Sequence, residues 1–235
     1  MPSNFLVENY RLRTSQIFEG LPAEERKKLM DSAVTHLYEK GQVIFREGGI
    51  PTGIYYVKSG MVKKFKNTSK GGEQIYYICG EGELIGYHAL LSEGFYPDSA
   101  ATIQDSEIAF IPKENFLQLL HNSTALSNGL LKALGLEFTL FINSITNLAT
   151  KSVRERLAYT LLILEEKFKA SSGVNSIQIL ISRTDLANMV GTAKETVVRH
   201  LLEFKNAGLI DKTGRSIRIL NRKRMIKEAN LVAVK

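Results

Sequence analysis

Ile181-Ser182-Arg183-Thr184-Asp185-Leu186-Ala187-Asn188-Met189-Val190-Gly191-Thr192-Ala193-Lys194-Glu195-Thr196-Val197-Val198-Arg199-His200-Leu201-Leu202 is the stretch whose reading decides the fold. Its pattern predicts two short helices, about 183–190 and 193–206, joined by Val190-Gly191-Thr192. Leu186, Ala187, Val190, Val197, Leu201 and Leu202 fall where such a pair must pack, while Lys194, Glu195, Arg199 and His200 are left outside. Downstream come a strand at Ile210, a turn at Thr213-Gly214-Arg215, and a second strand, Ser216-Ile217-Arg218-Ile219-Leu220. Two helices at a tight glycine turn followed by a basic hairpin predict a winged helix-turn-helix.

The outward residues carry a chemistry. Glu195 and Arg199 are four apart, so an ion pair along the helix worth a few tenths of a kcal/mol is one reading. At the start of a recognition helix they do other work. An arginine grips O6 and N7 of guanine and a glutamate accepts from N4 of cytosine, each contact giving ~1–3 kcal/mol of discrimination. Ser182, Thr184 and Thr196 are short hydroxyl donors suited to phosphates, and Arg215 and Arg218 in the wing, with Arg222-Lys223-Arg224, add positive contacts. The charge distribution agrees: residues 151–235 hold 17 Lys+Arg against 8 Asp+Glu, whereas residues 1–150 hold 14 against 16. The whole excess of the chain's +7 therefore lies in the last third, as a polyanion-binding module requires.

Working back toward the start, the texture is different. Eleven of the 18 glycines lie between Gly41 and Gly94. Between them run strand-sized apolar segments: Val43–Phe45, Ile54–Val57, Met61–Phe65, Gln74–Ile78 and Ser106–Phe110. Short strands at roughly ten-residue spacing predict a β-sandwich or roll. Residues 16–37 read as helical, with Pro22 set to open a helix. After Pro112 a stripe of Leu126, Leu130, Leu134, Glu137, Phe141, Ile145 and Leu148, widened by Ala133, Phe138 and Ile142, predicts a long amphipathic helix. Its apolar face is wider than one contact needs, which favours packing against a second copy across a two-fold axis. Ser152 through Lys169 predict another helix, Ser171-Ser172-Gly173 a break, and Ile177, Ile179 and Ile181 a strand. The expected division is a sensor domain over 1–115, a dimerisation helix over 116–149 and the winged module over 150–235.

Composition excludes other classes. A single cysteine, Cys79, rules out an internal disulfide and a four-thiolate metal site. The histidines at 36, 88, 121 and 200 are scattered, unlike the clustered ligands of a metal-dependent β-roll enzyme, so no enzyme and no metal centre are expected. The start, Met1-Pro2-Ser3-Asn4-Phe5, carries no secretory pattern, and no apolar run approaches the ~20 residues that span a bilayer. A cytoplasmic protein with no membrane partner is expected.

Leu186-Ala187 through Gly191, then Lys194-Glu195-Thr196-Val197-Val198-Arg199, resembles the helix-turn-helix of the Crp/Fnr family of bacterial regulators, and Gly80-Glu81-Gly82-Glu83-Leu84-Ile85-Gly86 resembles the turn that opens that family's phosphate-binding cassette. The resemblance covers roughly residues 16–222. It implies an α+β protein with an N-terminal cyclic-nucleotide-binding-like β-roll, a long central dimerisation helix and a C-terminal winged helix-turn-helix. It further implies a homodimer on a near-palindromic double-stranded DNA site, with Lys194, Glu195 and Arg199 reading bases, Asn147 to Lys151 as the hinge, and RNA polymerase as a partner.

At the effector site the match breaks down. Members that bind cyclic AMP have a glutamate for the ribose and an Arg-Ser pair for the phosphate; here those positions hold Tyr87 and Asp98-Ser99. An aspartate facing a phosphate costs several kcal/mol unless a cation intervenes. Phe141 and Ile142 stand where adenine would be hydrogen-bonded. The resemblance thus argues against cyclic AMP and leaves two alternatives: an orphan pocket lined by Tyr87, Asp98, Ser99 and Phe141, or a roll packed shut. No cofactor is assigned. A haem held by His88 with Pro2 is the one cofactor the family suggests, and a cyclic-nucleotide-binding-like signalling module sensing haem or another small ligand is the rival reading.

Overall fold

The computed structural model describes residues 14–18, 20–69, 71–172 and 177–231; Pro2 and Gly173 lie outside the described residues. The chain divides into two compact units. The first takes the described residues up to 67 together with 76–139, and the second takes 68–75 and the residues from 140 onward.

The first unit is built on two antiparallel four-stranded sheets. One orders β1 (Val34–Tyr38), β8 (Ser106–Pro112), β3 (Gly53–Ser59) and β6 (Leu84–Ile85); the other orders β2 (Val43–Phe45), β7 (Ser99–Thr102), β4 (Val62–Asn67) and β5 (Glu73–Cys79). Both contribute to a core of Phe45, Val57, Val62, Cys79, Ile85, Ala100 and Ile108, with Ala89 and Tyr96 from the loops and helix between. Cys79 is fully buried at the end of its strand, a small apolar residue by packing. Ile54 and Val57 are both buried but, three residues apart, lie on opposite faces of β3: Val57 joins the roll interior and Ile54 the side covered by helices, and the register pairs Ile54 with Ile111 and Val57 with Ile108. Gly53 is required by that register, because a Cβ there would stand 2.2 Å from the carbonyl oxygen of Ile111.

Helices close one side of the roll. α1 (Ala23–Asp31), α2 (Tyr87–Leu91), α3 (Lys113–Asn122) and the start of α4 (Thr124–Thr150) bring Leu29, Tyr87, Leu90, Phe116, Leu126, Leu130 and Ala133 onto Ile54, Leu84 and Ile111. Two expectations need correction. The helix read over 16–37 is a 3-10 turn at Thr14–Ile17, the short α1, and then strand β1, because β-branched Val34 and Thr35 pair with Phe110 and Ala109. The helix read over 116–149 is two helices broken at Ser123, whose backbone is extended and whose hydroxyl accepts the amide of Leu126.

α4 also corrects the statement about membranes. By length and composition alone it is apolar enough to cross one, since only Lys132 and Glu137 are charged along it. The sequence reading counted uninterrupted apolar runs and missed it. Its first turns bury Leu126, Leu130 and Ala133 in the roll, while Leu131, Phe138, Phe141, Ile142, Ile145 and Leu148 stay exposed.

The second unit holds α5 (Val153–Ser172), β9 (Ile179–Leu180), α6 (Arg183–Val190), α7 (Lys194–Asn206), β10 (Ile210–Thr213), β11 (Ser216–Ile219) and α8 (Arg222–Glu228). β9 is only two residues long, shorter than the alternation from Ile177 to Ile181 suggested. It completes a sheet ordered β10-β11-β9. Leu157, Leu161, Leu164, Leu186, Val190, Val197, Leu201, Phe204, Ile217 and Met225 are among the unit's buried residues. For the roll, Gly53→Ala forces backbone to move and should cost about 2 kcal/mol in urea unfolding; an unchanged midpoint would show that β3 and β8 are not held in this register.

Candidate DNA interface and effector site

The helix-turn-helix is fixed locally by its ends. Ser182 caps α6, accepting the Asp185 amide at 2.9 Å and donating its own proton to the Asp185 carboxylate at 2.5 Å. Gly191 closes α6 with φ +70°, a left-handed conformation glycine adopts without strain, and both its amide and that of Thr192 return to the Ala187 carbonyl. Arg156 then clamps the turn: Nε donates to the Val190 carbonyl at 2.9 Å, and Nη1 to the Lys151 carbonyl at 2.8 Å. One guanidinium thus joins the end of α4 to the helix-turn-helix corner. Arg183 braces the wing, donating to the Gly214 carbonyl at 2.8 Å.

α7 buries Val197, Leu201 and Phe204 and turns Lys194, Glu195 and Arg199 outward. Arg199 does not pair with Glu195; its nearest acid is Glu203, at 4.0 Å, and its side chain is 67% exposed. His200, expected outside, is turned in, with its side chain 15% exposed and Nδ1 3.0 Å from Glu203. Thr184 and Arg215 are exposed and Thr196 half-buried. Arg218 in the wing lies 3.4 Å from Asp211. Two phosphate candidates also have partners within the chain. The Ser182 proton is spent on Asp185, leaving that hydroxyl nothing to donate. Arg222 ties α8 to α5 through Glu165 and Glu166, at 3.3 and 2.8 Å.

In the roll, the effector candidates meet partners from the chain itself. Asp98 forms an ion pair with Lys64 at 3.1 Å, and the two side chains are only 2% and 4% exposed. The register explains the encounter: Lys64 on β4 faces Ala100 on β7, so Asp98 is its diagonal neighbour on one sheet face. Tyr76 on β5 donates its hydroxyl to the same carboxylate. His88 on α2 sets Nε2 3.3 Å from the Lys64 ammonium and 3.9 Å from the Asp98 carboxylate. Burial, helped by the lysine charge, lowers the His88 pKa to about 3, so the ring is neutral and Nε2 accepts from Lys64. Burial raises the Asp98 pKa, with Lys64 opposing.

Tyr87 points elsewhere: its buried hydroxyl donates to Glu137 on α4 at 2.8 Å, and its ring meets His88 edge-on at 5.4 Å. Ser99 accepts the Glu47 amide at 2.9 Å. Phe141 is exposed and belongs to the other unit. Sequence reasoning missed Lys64, Tyr76, Glu137, Arg156 and Arg183. The signal for Lys64 was present, since strand alternation puts it on the face of buried Val62 while Asp98 calls for a cation. Removing the ammonium tests the pair. Lys64→Met strands a buried carboxylate and should cost ~3–5 kcal/mol, with most of it recovered in Lys64→Met/Asp98→Asn; additive losses in urea unfolding would refute the coupling.

Residues 35–123 match the model of the cyclic nucleotide-binding domain, and residues 155–228 that of the Crp-like helix-turn-helix domain. The chain is 31% identical over 206 residues to the cyclic AMP receptor protein of Thermus thermophilus, covering 85% of this chain and 89% of that protein. It is 30% identical over 184 residues to the transcriptional activator protein anr of Pseudomonas aeruginosa, covering 78% and 75%. Among solved structures, the c-di-GMP responsive global regulator CLP of Xanthomonas campestris is 27% identical with TM-score 0.68, covering 85% of this chain and all of that one. FixK2 of Bradyrhizobium japonicum shares the fold at TM-score 0.72 and 24% identity, over 83% of this chain and 96% of its own. The helix-turn-helix match disfavours a signalling module without DNA binding. The chain belongs to the Crp/Fnr family of transcription regulators, with a cyclic-nucleotide-binding-type roll and a helix-turn-helix DNA-binding domain.

Proposed function

We propose that this regulator acts as a cytoplasmic homodimer, non-enzymatic, whose paired α7 helices enter successive major grooves ~34 Å apart on a near-palindromic site. One observation carries the reading: α7 is anchored by Val197, Leu201 and Phe204 and presents Lys194, Glu195 and Arg199 to the outside. Arg199 reads guanine, Glu195 reads cytosine on the opposite strand, and Lys194 extends the contact. Thr184, Thr196, Arg215 and Arg218 hold phosphates, each neutralised phosphate contributing ~0.9 to the slope of log affinity against log salt. The dimer contact is α4, on which Leu131, Leu134, Phe138, Phe141, Ile145 and Leu148 repeat at alternating steps of three and four. RNA polymerase is the partner the family implies.

The roll is not a cyclic AMP receptor on this reading. Where the resemblance puts the phosphate, Asp98 presents a carboxylate that Lys64 already neutralises, and where it puts the ribose, Tyr87 is committed to Glu137. A bound cyclic phosphate would have to break the pair and face an uncompensated anion.

Three outcomes are expected. Arg199→Ala loses preference for one palindrome in selection from random duplexes, and unchanged selection would remove Arg199 from base reading. Sedimentation at micromolar concentration gives a dimer, and a monomer would refute the α4 contact. Cyclic AMP gives no binding heat in calorimetry, and a tight isotherm would show that the Asp98 site opens to a phosphate.

A further inference from the structure

α7 exposes two large apolar side chains, Val198 at 40% and Leu202 at 50%, although the residue before each, Val197 and Leu201, is fully buried. Positions 195, 198, 199 and 202 follow the i, i+3, i+4, i+7 spacing of a single helical stripe. Val198 therefore stands on the stripe that carries Glu195 and Arg199, one turn into the helix. As a surface helix residue it is a poor choice: a β-branched side chain lowers helix propensity and gains nothing from the core here.

A duplex offers one apolar feature in the major groove, the C5-methyl group of thymine; every other exposed base edge there is a hydrogen-bond donor or acceptor. An isopropyl group meets that methyl well and leaves polar edges unpaired. Its stiff χ1 also means that little rotamer freedom is lost on contact. Leu202 lies a turn further from the amino-terminal end of α7, and in this docking geometry the first turns of the recognition helix reach the bases. We propose that Val198 is a methyl reader, packing against the C5-methyl group of one pyrimidine in each half-site, next to the base pair gripped by Arg199. The inference rests on α7 being the recognition helix. It carries a consequence for substrate class: at that position 5-methylcytosine is preferred over cytosine, so binding responds to methylation of the DNA.

The test uses the full-length protein and its selected duplex. Each thymine in turn is replaced symmetrically by deoxyuridine, which removes only the methyl group. The expected result is one symmetric pair of positions at which wild-type affinity falls about 4-fold per half-site, roughly 15-fold for both. Val198→Ala, a change to a better helix former, should be insensitive to that replacement, while Leu202→Ala should keep the penalty. 5-Methylcytosine placed there should bind wild type more tightly than cytosine. Site-specific binding with no deoxyuridine-sensitive position, or with the penalty intact in Val198→Ala, overturns the assignment of Val198 and leaves the recognition helix standing. Absence of site-specific binding overturns both.

Discussion

Within the roll, the decisive constraint is a lysine and an aspartate 3.1 Å apart with almost no access to water. Either charge alone would cost several kcal/mol to bury; together they neutralise each other and share further partners, although Asp98 Oδ1 and His88 Nδ1 are buried without a hydrogen-bond partner. Tyr76 supplies a donor to the carboxylate and neutral His88 an acceptor to the ammonium, so β4, β5, β7 and α2 are all drawn to one point. Tyr87 is held in the same manner, by its hydrogen bond to Glu137 on α4. At both places the chain supplies its own partners: Lys64 and Tyr76 for Asp98, and Glu137 for Tyr87.

The DNA-facing unit depends on a comparable device of opposite exposure. Lys194, Glu195 and Arg199 lie outside, so their position is set from behind. Val197, Leu201 and Phe204 seat α7, Gly191 turns the chain, and Arg156 ties that corner to the carbonyl of Lys151 between α4 and α5. Arg154 adds a second brace, paired with Glu203 on α7 and Glu228 on α8 and lying over the Phe204 ring. The cations divide accordingly. Arg154, Arg156, Arg183 and Arg222 build the platform, while Lys194, Arg199 and Arg215 remain on its outer surface. Net charge alone does not distinguish the two sets.

What was legible in the sequence followed from periodicity and punctuation. The α6–α7 pair was readable because its apolar spacing and its glycine agree, and the roll because its strands are short and bounded by turns. The failures have physical causes. The 16–37 helix dissolved because a strand partner 70-odd residues away outbids local pattern for Val34 and Thr35. Ser123 was overlooked because a helix break by capping needs no glycine or proline. For Lys64 the sequence carried only half of the signal, an inward-facing lysine on β4; the pairing of β4 with β7 is what puts it beside Asp98. Ser182 and Arg222, phosphate candidates by type, also have partners within the chain, which residue type alone does not show.

The central claim is that a dimer whose rolls pair Asp98 with Lys64 internally reads duplex DNA through α7. Purified protein, unfolded and refolded free of small molecules, should enrich from a random duplex pool sites made of two inverted half-sites, their centres about one helical turn apart. Enrichment of unrelated sequences without that symmetry, or none at all in the absence of added ligand, would contradict the account.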